Sequence, residues 1–106
     1  MVLDTIPEKE ITTTGSAQKI YTLPSGKTAY LRTLSITNLA TANATVEIWS
    51  GSGASGEDYR IMTLVVSAGS TLVLGKGDLE GRKAIKDIYV VTDQQPIRVS
   101  GSVELR

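Results

Sequence analysis

The chain has no cysteine, no histidine and no phenylalanine, one tryptophan and three prolines among its 106 residues. Without cysteine there is neither a disulfide framework nor a thiolate metal site. Without histidine the commonest general base and the commonest transition-metal ligand are gone, and with them every Ser-His or Cys-His nucleophile. Without phenylalanine the core must be built from Val, Ile, Leu, Ala and Met. An excess of one charge sign is also missing: Lys plus Arg and Asp plus Glu number 11 each, for a formal net charge of +0. A protein whose main partner was nucleic acid would carry a basic excess, so that partner is not expected. No apolar run approaches a membrane span. The start, MVLDTIPEKE, has neither the positive charge nor the apolar stretch of a secretory signal, so the expectation is a soluble product made in the cytoplasm, unless it leaves inside something larger.

What the chain does have is β-strand chemistry punctuated by turns. Its length suits one domain, which buries roughly 60 to 65% of its extended-chain surface, so burial against a partner would add usefully to stability. The stretch Thr28 to Trp49 holds two runs rich in β-branched and aromatic residues around a polar break, Asn38 to Asn43, and reads as a hairpin. Leu34 and Ile36 share one face of the first arm and Val46 and Ile48 one face of the second, which gives a dry side and a wet side. Ile11 to Thr14 and Lys19 to Leu23 are shorter runs, the second closed by the turn Pro24-Ser25-Gly26-Lys27. Tyr59 to Val66, Thr71 to Leu74, Ile85 to Thr92 and Ile97 to Arg106 complete the set. The last alternates most cleanly, with Ile97, Val99, Val103 and Leu105 on one side and Gly101 at a place that invites a bulge or a close neighbour. About eight short strands without helical periodicity predict an all-β fold, an antiparallel β-sandwich or jelly roll. The domain is expected over 11–106. Residues 1–10 precede it as an N-terminal arm, either a loosely held tail or a segment that orders against a neighbouring subunit through Val2, Leu3 and Ile6.

One strand carries more apolar surface than a two-layer sandwich needs. In Tyr59 to Val66, Ile61 and Val65 point one way and Met62, Leu64 and Val66 the other. A sheet of such a sandwich has one face on the core, so a second apolar face calls for cover by another chain. Met62, Leu64 and Val66 are therefore expected at an interface with another subunit, in a homo-oligomer with a closed trimer the favoured form. Lys76, Arg82, Lys83 and Lys86 would form a basic rim that orients an acidic protein surface.

Motifs with chemical meaning are few. Gly51-Ser52-Gly53-Ala54-Ser55-Gly56 matches GxGxxG, but it runs into a strand and not into the helix a dinucleotide site needs, so it reads as a flexible loop. Asp78 with Glu80, and Glu57 with Asp58, fall short of a calcium loop's ligand count. No pair among Glu47, Asp87, Asp93 and Glu104 is placed by spacing as a hydrolytic couple. Hence no catalytic residue, cofactor or metal is expected. Trp49 lies opposite Val46 and Ile48 on its strand and is partly exposed; ligand stacking on it is the alternative to a packing role, and a carbohydrate-binding module the competing class of function. Such a module would need Trp49 and at least one tyrosine coplanar on an exposed sheet face.

The segment Ile20 to Asn38, IYTLPSGKTAYLRTLSITN, resembles a pattern in small β-sandwich virion proteins of tailed bacteriophages, in which a strand ends at Pro-x-Gly-Lys-Thr-Ala and a long strand ends in Asn. Thr41 to Val46 supplies the Ala- and Thr-rich return, and Val65 to Leu74 with Gly77-Asp78 the later pair of apolar strands around an Ala-Gly turn. The likeness runs from about Ile11 to Leu105. It implies a non-enzymatic structural component of the virion, a capsid decoration or cementing protein or a neck or tail element, whose partners are itself and the major capsid or tail protein. It brings no catalytic residues, and the Gly- and Ser-rich loop is a departure from its pattern.

Overall fold

The computed structural model describes residues 2–106. In chain order its strands are β1 (Val2–Ile11), β2 (Gln18–Tyr21), β3 (Ala29–Asn38), β4 (Ala44–Ser50), β5 (Tyr59–Val66), β6 (Thr71–Leu74), β7 (Lys83–Ala84), β8 (Ile88–Thr92) and β9 (Ile97–Leu105). They form a β-sandwich of two antiparallel sheets. The five-stranded sheet runs β1-β9-β3-β6 with β7 also on β3, and the four-stranded sheet runs β2-β8-β4-β5. The core between them is aliphatic, as the lack of phenylalanine requires: Leu34, Ile36, Val99 and Ile97 of one sheet face Val46, Ile48, Ile88 and Val90 of the other, all at most 1% exposed.

The expected hairpin is not one. β3 pairs with β9, β6 and β7, whereas β4 pairs with β5 and β8, so residues 39–43 cross from one sheet to the other. The dry faces of the two arms meet across the core and not side by side. Asn38, fully buried, holds the crossing: its Nδ2 donates to Ala42 O (2.8 Å) and Val66 O (3.0 Å), and its Oδ1 accepts from Ala40 N (2.9 Å). The β5–β6 turn crosses in the same way at Ser67–Ser70, with Gly69 N donating to Asn38 O.

The N-terminal arm is likewise corrected. Residues 2–11 are an edge strand of the domain's own sheet, in antiparallel register with β9 from Val2↔Leu105 to Ile11↔Ile97. Pro7 does not stop it, because an edge strand needs no outward N–H donor and the register shifts between Ile6 and Lys9 to accommodate the residue. Ile6 is sealed in the domain's own core, at 0% exposure, and Ile11 ends β1 instead of starting a separate strand.

Bulges also alter which residues share a face. Between Leu31 and Thr33 the register of β3 slips, which leaves Ala29 and Leu31 inside and turns Tyr30 outward, against the simple alternation that puts Tyr30 with Leu34. Gly101 sits opposite this region, and a Cβ there would lie 2.3 Å from Thr33 O, so the close neighbour expected at Gly101 is the backbone of β3.

Candidate functional site

The two margins of the sandwich are closed differently. On the β1/β2 margin the sheets are latched by side chains: Tyr21 Oη donates to Asp4 Oδ2 at 2.7 Å and Lys9 Nζ to Lys19 O at 2.8 Å. Burial and the Asp4 carboxylate push the Tyr21 phenol well above its ordinary pKa. The opposite margin runs between β5 and β6, which are edges of different sheets. Here polar ties lie at the two ends, Asn38 to Val66 O at one and Arg82 Nη1 to Ile61 O (3.0 Å) with Tyr59 Oη to Lys83 O (2.5 Å) at the other. Between them the margin is filled by Met62, Leu64, Leu72 and Leu74, each half-buried against the core. Val65 and Val73 stand on the outer faces beside it, 65% and 68% exposed.

This placement revises the interface expected for β5. Its register slips between Ile48 and Trp49, pairing Ile48 with Met62 and Trp49 with Arg60, so Ile61 is the bulged residue. The bulge turns Ile61 inward beside Met62, and the apparent second apolar face collapses into one. Met62, Leu64 and Val66 all point at the core; Val66 is 2% exposed, its side chain sealed within its own subunit, whereas Met62 and Leu64 remain partly open because β5 is an edge. Of the N-terminal set, Val2 and Leu3 are exposed and Ile6 is not.

The basic residues come together at one end of the molecule. Lys76 and Arg82 line a hollow of about 170 Å3 with Tyr30, Arg32, Glu80 and Arg106. Lys83 lies 5.8 Å from the Tyr30 ring centroid and the Arg106 guanidinium 4.2 Å from it. Beneath them Glu104, 3% exposed, is held by Arg106 Nε at 2.5 Å and Arg32 Nη1 at 2.8 Å. The Arg106 hydrogen bond, with Arg32 adding its charge, keeps the Glu104 carboxyl below the usual range. Sequence reasoning missed Arg32, because the β3 bulge sets its side; Glu104 and Arg106 already shared a face by alternation. Lys86 leaves the cluster and pairs with Asp58 at 2.8 Å.

That pair belongs to a second region, around residues 50–58. The loop is folded around Asp58, whose Oδ2 accepts from Gly53 N (2.9 Å) and Ser55 N (3.2 Å). Gly51, at φ +83°, has no room for a side chain, since a Cβ would lie 2.2 Å from Asp58 Oδ1. The bond to Lys86 first, then those to the loop amides, holds the Asp58 carboxyl low. The expected flexible loop therefore has a built conformation, and the glycines of the GxGxxG match serve that turn. Asp78 is similarly engaged, accepting from Gly75 N at 3.0 Å. Trp49, half-buried on the outer face of the four-stranded sheet, donates its Nε1 to Glu47 Oε1 at 2.9 Å and lies directly across from Tyr89 of β8.

Comparison with known proteins adds no relative: no family model and no curated protein matches the chain.

Proposed function

We propose that this protein is a non-enzymatic structural component of a virion, a capsid decoration protein or a neck or tail element, that associates with copies of itself and with the major capsid or tail protein. The observation that supports an assembly role is the β5/β6 margin. Two edge strands of different sheets present unpaired backbone groups along a strip whose apolar residues, Met62, Leu64, Leu72 and Leu74, are only half covered by their own subunit. Edge strands left open in this way are templates for pairing with another chain. Val65 and Val73 extend the apolar strip outward, and Arg82 and Lys83 stand at its end as the charged rim. At about 25 cal/mol per Å2, even a modest shared apolar area would be a large fraction of one small domain's stability. The virion context follows from the sequence resemblance around Ile20 to Asn38.

Sedimentation of the purified chain tests the assembly reading. A homo-oligomer at micromolar concentration, with a trimer the favoured form, is expected; Val65→Glu with Val73→Glu should yield a folded monomer. A wild-type monomer over the whole concentration range, failing also to bind empty capsids or tails, would sink the proposal.

A further inference from the structure

We propose that the outer face of the β2-β8-β4-β5 sheet, at Trp49 and Tyr89, binds a neutral carbohydrate, with a pyranose ring stacked on the aromatic pair and its hydroxyls bonded to the flanking polar groups. This site is separate from the β5/β6 margin and does not depend on the assembly reading.

The argument starts from register. Trp49 and Tyr89 are directly opposed in the β4–β8 ladder, so their side chains leave the same face of the sheet, with Cβ atoms about 5 Å apart. Neither ring fills the core. That lies under the other face, where their neighbours Ile48, Ile88 and Val90 are fully buried, while Trp49 and Tyr89 both keep surface in solvent.

Charge then selects the ligand. Arg60 pairs with Glu47 at 3.6 Å, Lys19 with Asp87 at 3.6 Å, and Lys86 with Asp58 at 2.8 Å. Each of these three cations already has an anion, and Lys86 has a second in Glu57 at 3.5 Å, so an anionic ligand finds no uncompensated positive charge among them. What the face does offer is fixed planar groups, a guanidinium and carboxylates, beside apolar rings. A sugar matches both parts: one side of a pyranose is a plane of C–H groups that packs on an aromatic ring, and adjacent hydroxyls bond in pairs to a carboxylate or guanidinium. The base of a nucleotide would stack equally well, but its phosphates call for a free positive charge, and the cations named here are all paired.

Shape agrees. Tyr89 is also a wall of an open hollow of about 470 Å3, bounded by Asp87, Lys86, Asp58 and the loop from Gly51. That volume falls in the ~300–1,000 Å3 range of small-molecule sites. The loop is held by Asp58, and at Gly53 a Cβ would come 3.9 Å from the edge of the Trp49 ring, so the loop borders both platform and hollow. An oligosaccharide stacked on the rings can therefore run on into the hollow.

Trp49 is the sole tryptophan, so emission excited at wavelengths that tyrosine does not absorb reports this face alone. The intact chain is screened on an array of neutral glycans, and the strongest hit is titrated by fluorescence and calorimetry. The expected result is saturable binding with a change in Trp49 emission, insensitive to high salt, and weakened by about tenfold or more in Tyr89→Leu and in Trp49→Ala. Thermal melts confirm that the variants are folded, and Glu8→Gln, exposed on β1 of the other sheet, serves as a control that keeps binding. The proposal is overturned if the wild type retains no neutral glycan, if folded Tyr89→Leu and Trp49→Ala bind as the wild type does, or if a charged glycan or an oligonucleotide binds here in its place and is released by salt.

Discussion

Asn38 shows how much of this fold hangs on single side chains. Its amide satisfies two carbonyls and one N–H at the point where the chain leaves one sheet for the other, and of the three the bond to Val66 O is buried. Asn38→Ala leaves the Val66 carbonyl unpaired in a buried setting, and should cost about 1–3 kcal/mol in urea unfolding. Glu104 makes a different kind of contribution, one that depends on pH. Its folded pKa lies below its ordinary value because of Arg106 and then Arg32, so the folded state binds the proton less readily than the unfolded chain. The stabilisation is therefore complete above the ordinary glutamate pKa of about 4.3 and is lost as pH falls through the lower folded value. Melting temperatures should drop on acidification below that point, and Glu104→Gln should melt lower at neutral pH with a shallower acid slope. A variant whose acid slope matched the wild type would remove Glu104 from this role.

At the scale of elements, the edge strand β1 distinguishes core from periphery within one segment. Ile6→Ala removes a fully buried side chain and should cost about 2–5 kcal/mol, whereas Leu3→Ala, 64% exposed, should change stability by less than about 0.5 kcal/mol. Had residues 2–11 been a detached arm, both substitutions would be silent in the isolated subunit. The packing of β9 on β3 makes a parallel point: Gly101→Ala drives a Cβ into Thr33 O and should destabilise by about 1–3 kcal/mol despite the mildness of the change. Both effects are read from chemical denaturation midpoints. Alternation placed Gly101 correctly on the inner face of β9 and kept Met62, Leu64 and Val66 on one face of β5, and the same rule failed for Tyr30 and for Ile61. The difference is physical. β9 runs without a bulge against its neighbour's inner face, whereas β3 and β5 each contain an extra residue that shifts every side chain beyond it, and a bulge leaves little trace in a single sequence.

Across the whole molecule, the margin between β5 and β6 is left half-covered, the feature on which the proposed assembly rests, and the opposite margin is closed by Tyr21, Asp4 and Lys9. Substituting Val65 and Val73 by glutamate should abolish sedimentation as an oligomer while leaving the melting temperature within a few degrees of the wild type, since both side chains are mostly exposed already. By itself the sequence determined the all-β class, the approximate strand positions and the inward faces of β3, β4 and β9. These follow from local alternation and turn chemistry, which act over a few residues. Only the tertiary structure decided that β3 and β4 belong to different sheets, that residues 2–11 are a strand of the domain, that Arg32 joins Glu104, and that Trp49 meets Tyr89. Each depends on which distant strands become neighbours and in what register, and that is settled by burial of the common core, to which no single stretch of the chain contributes more than a part.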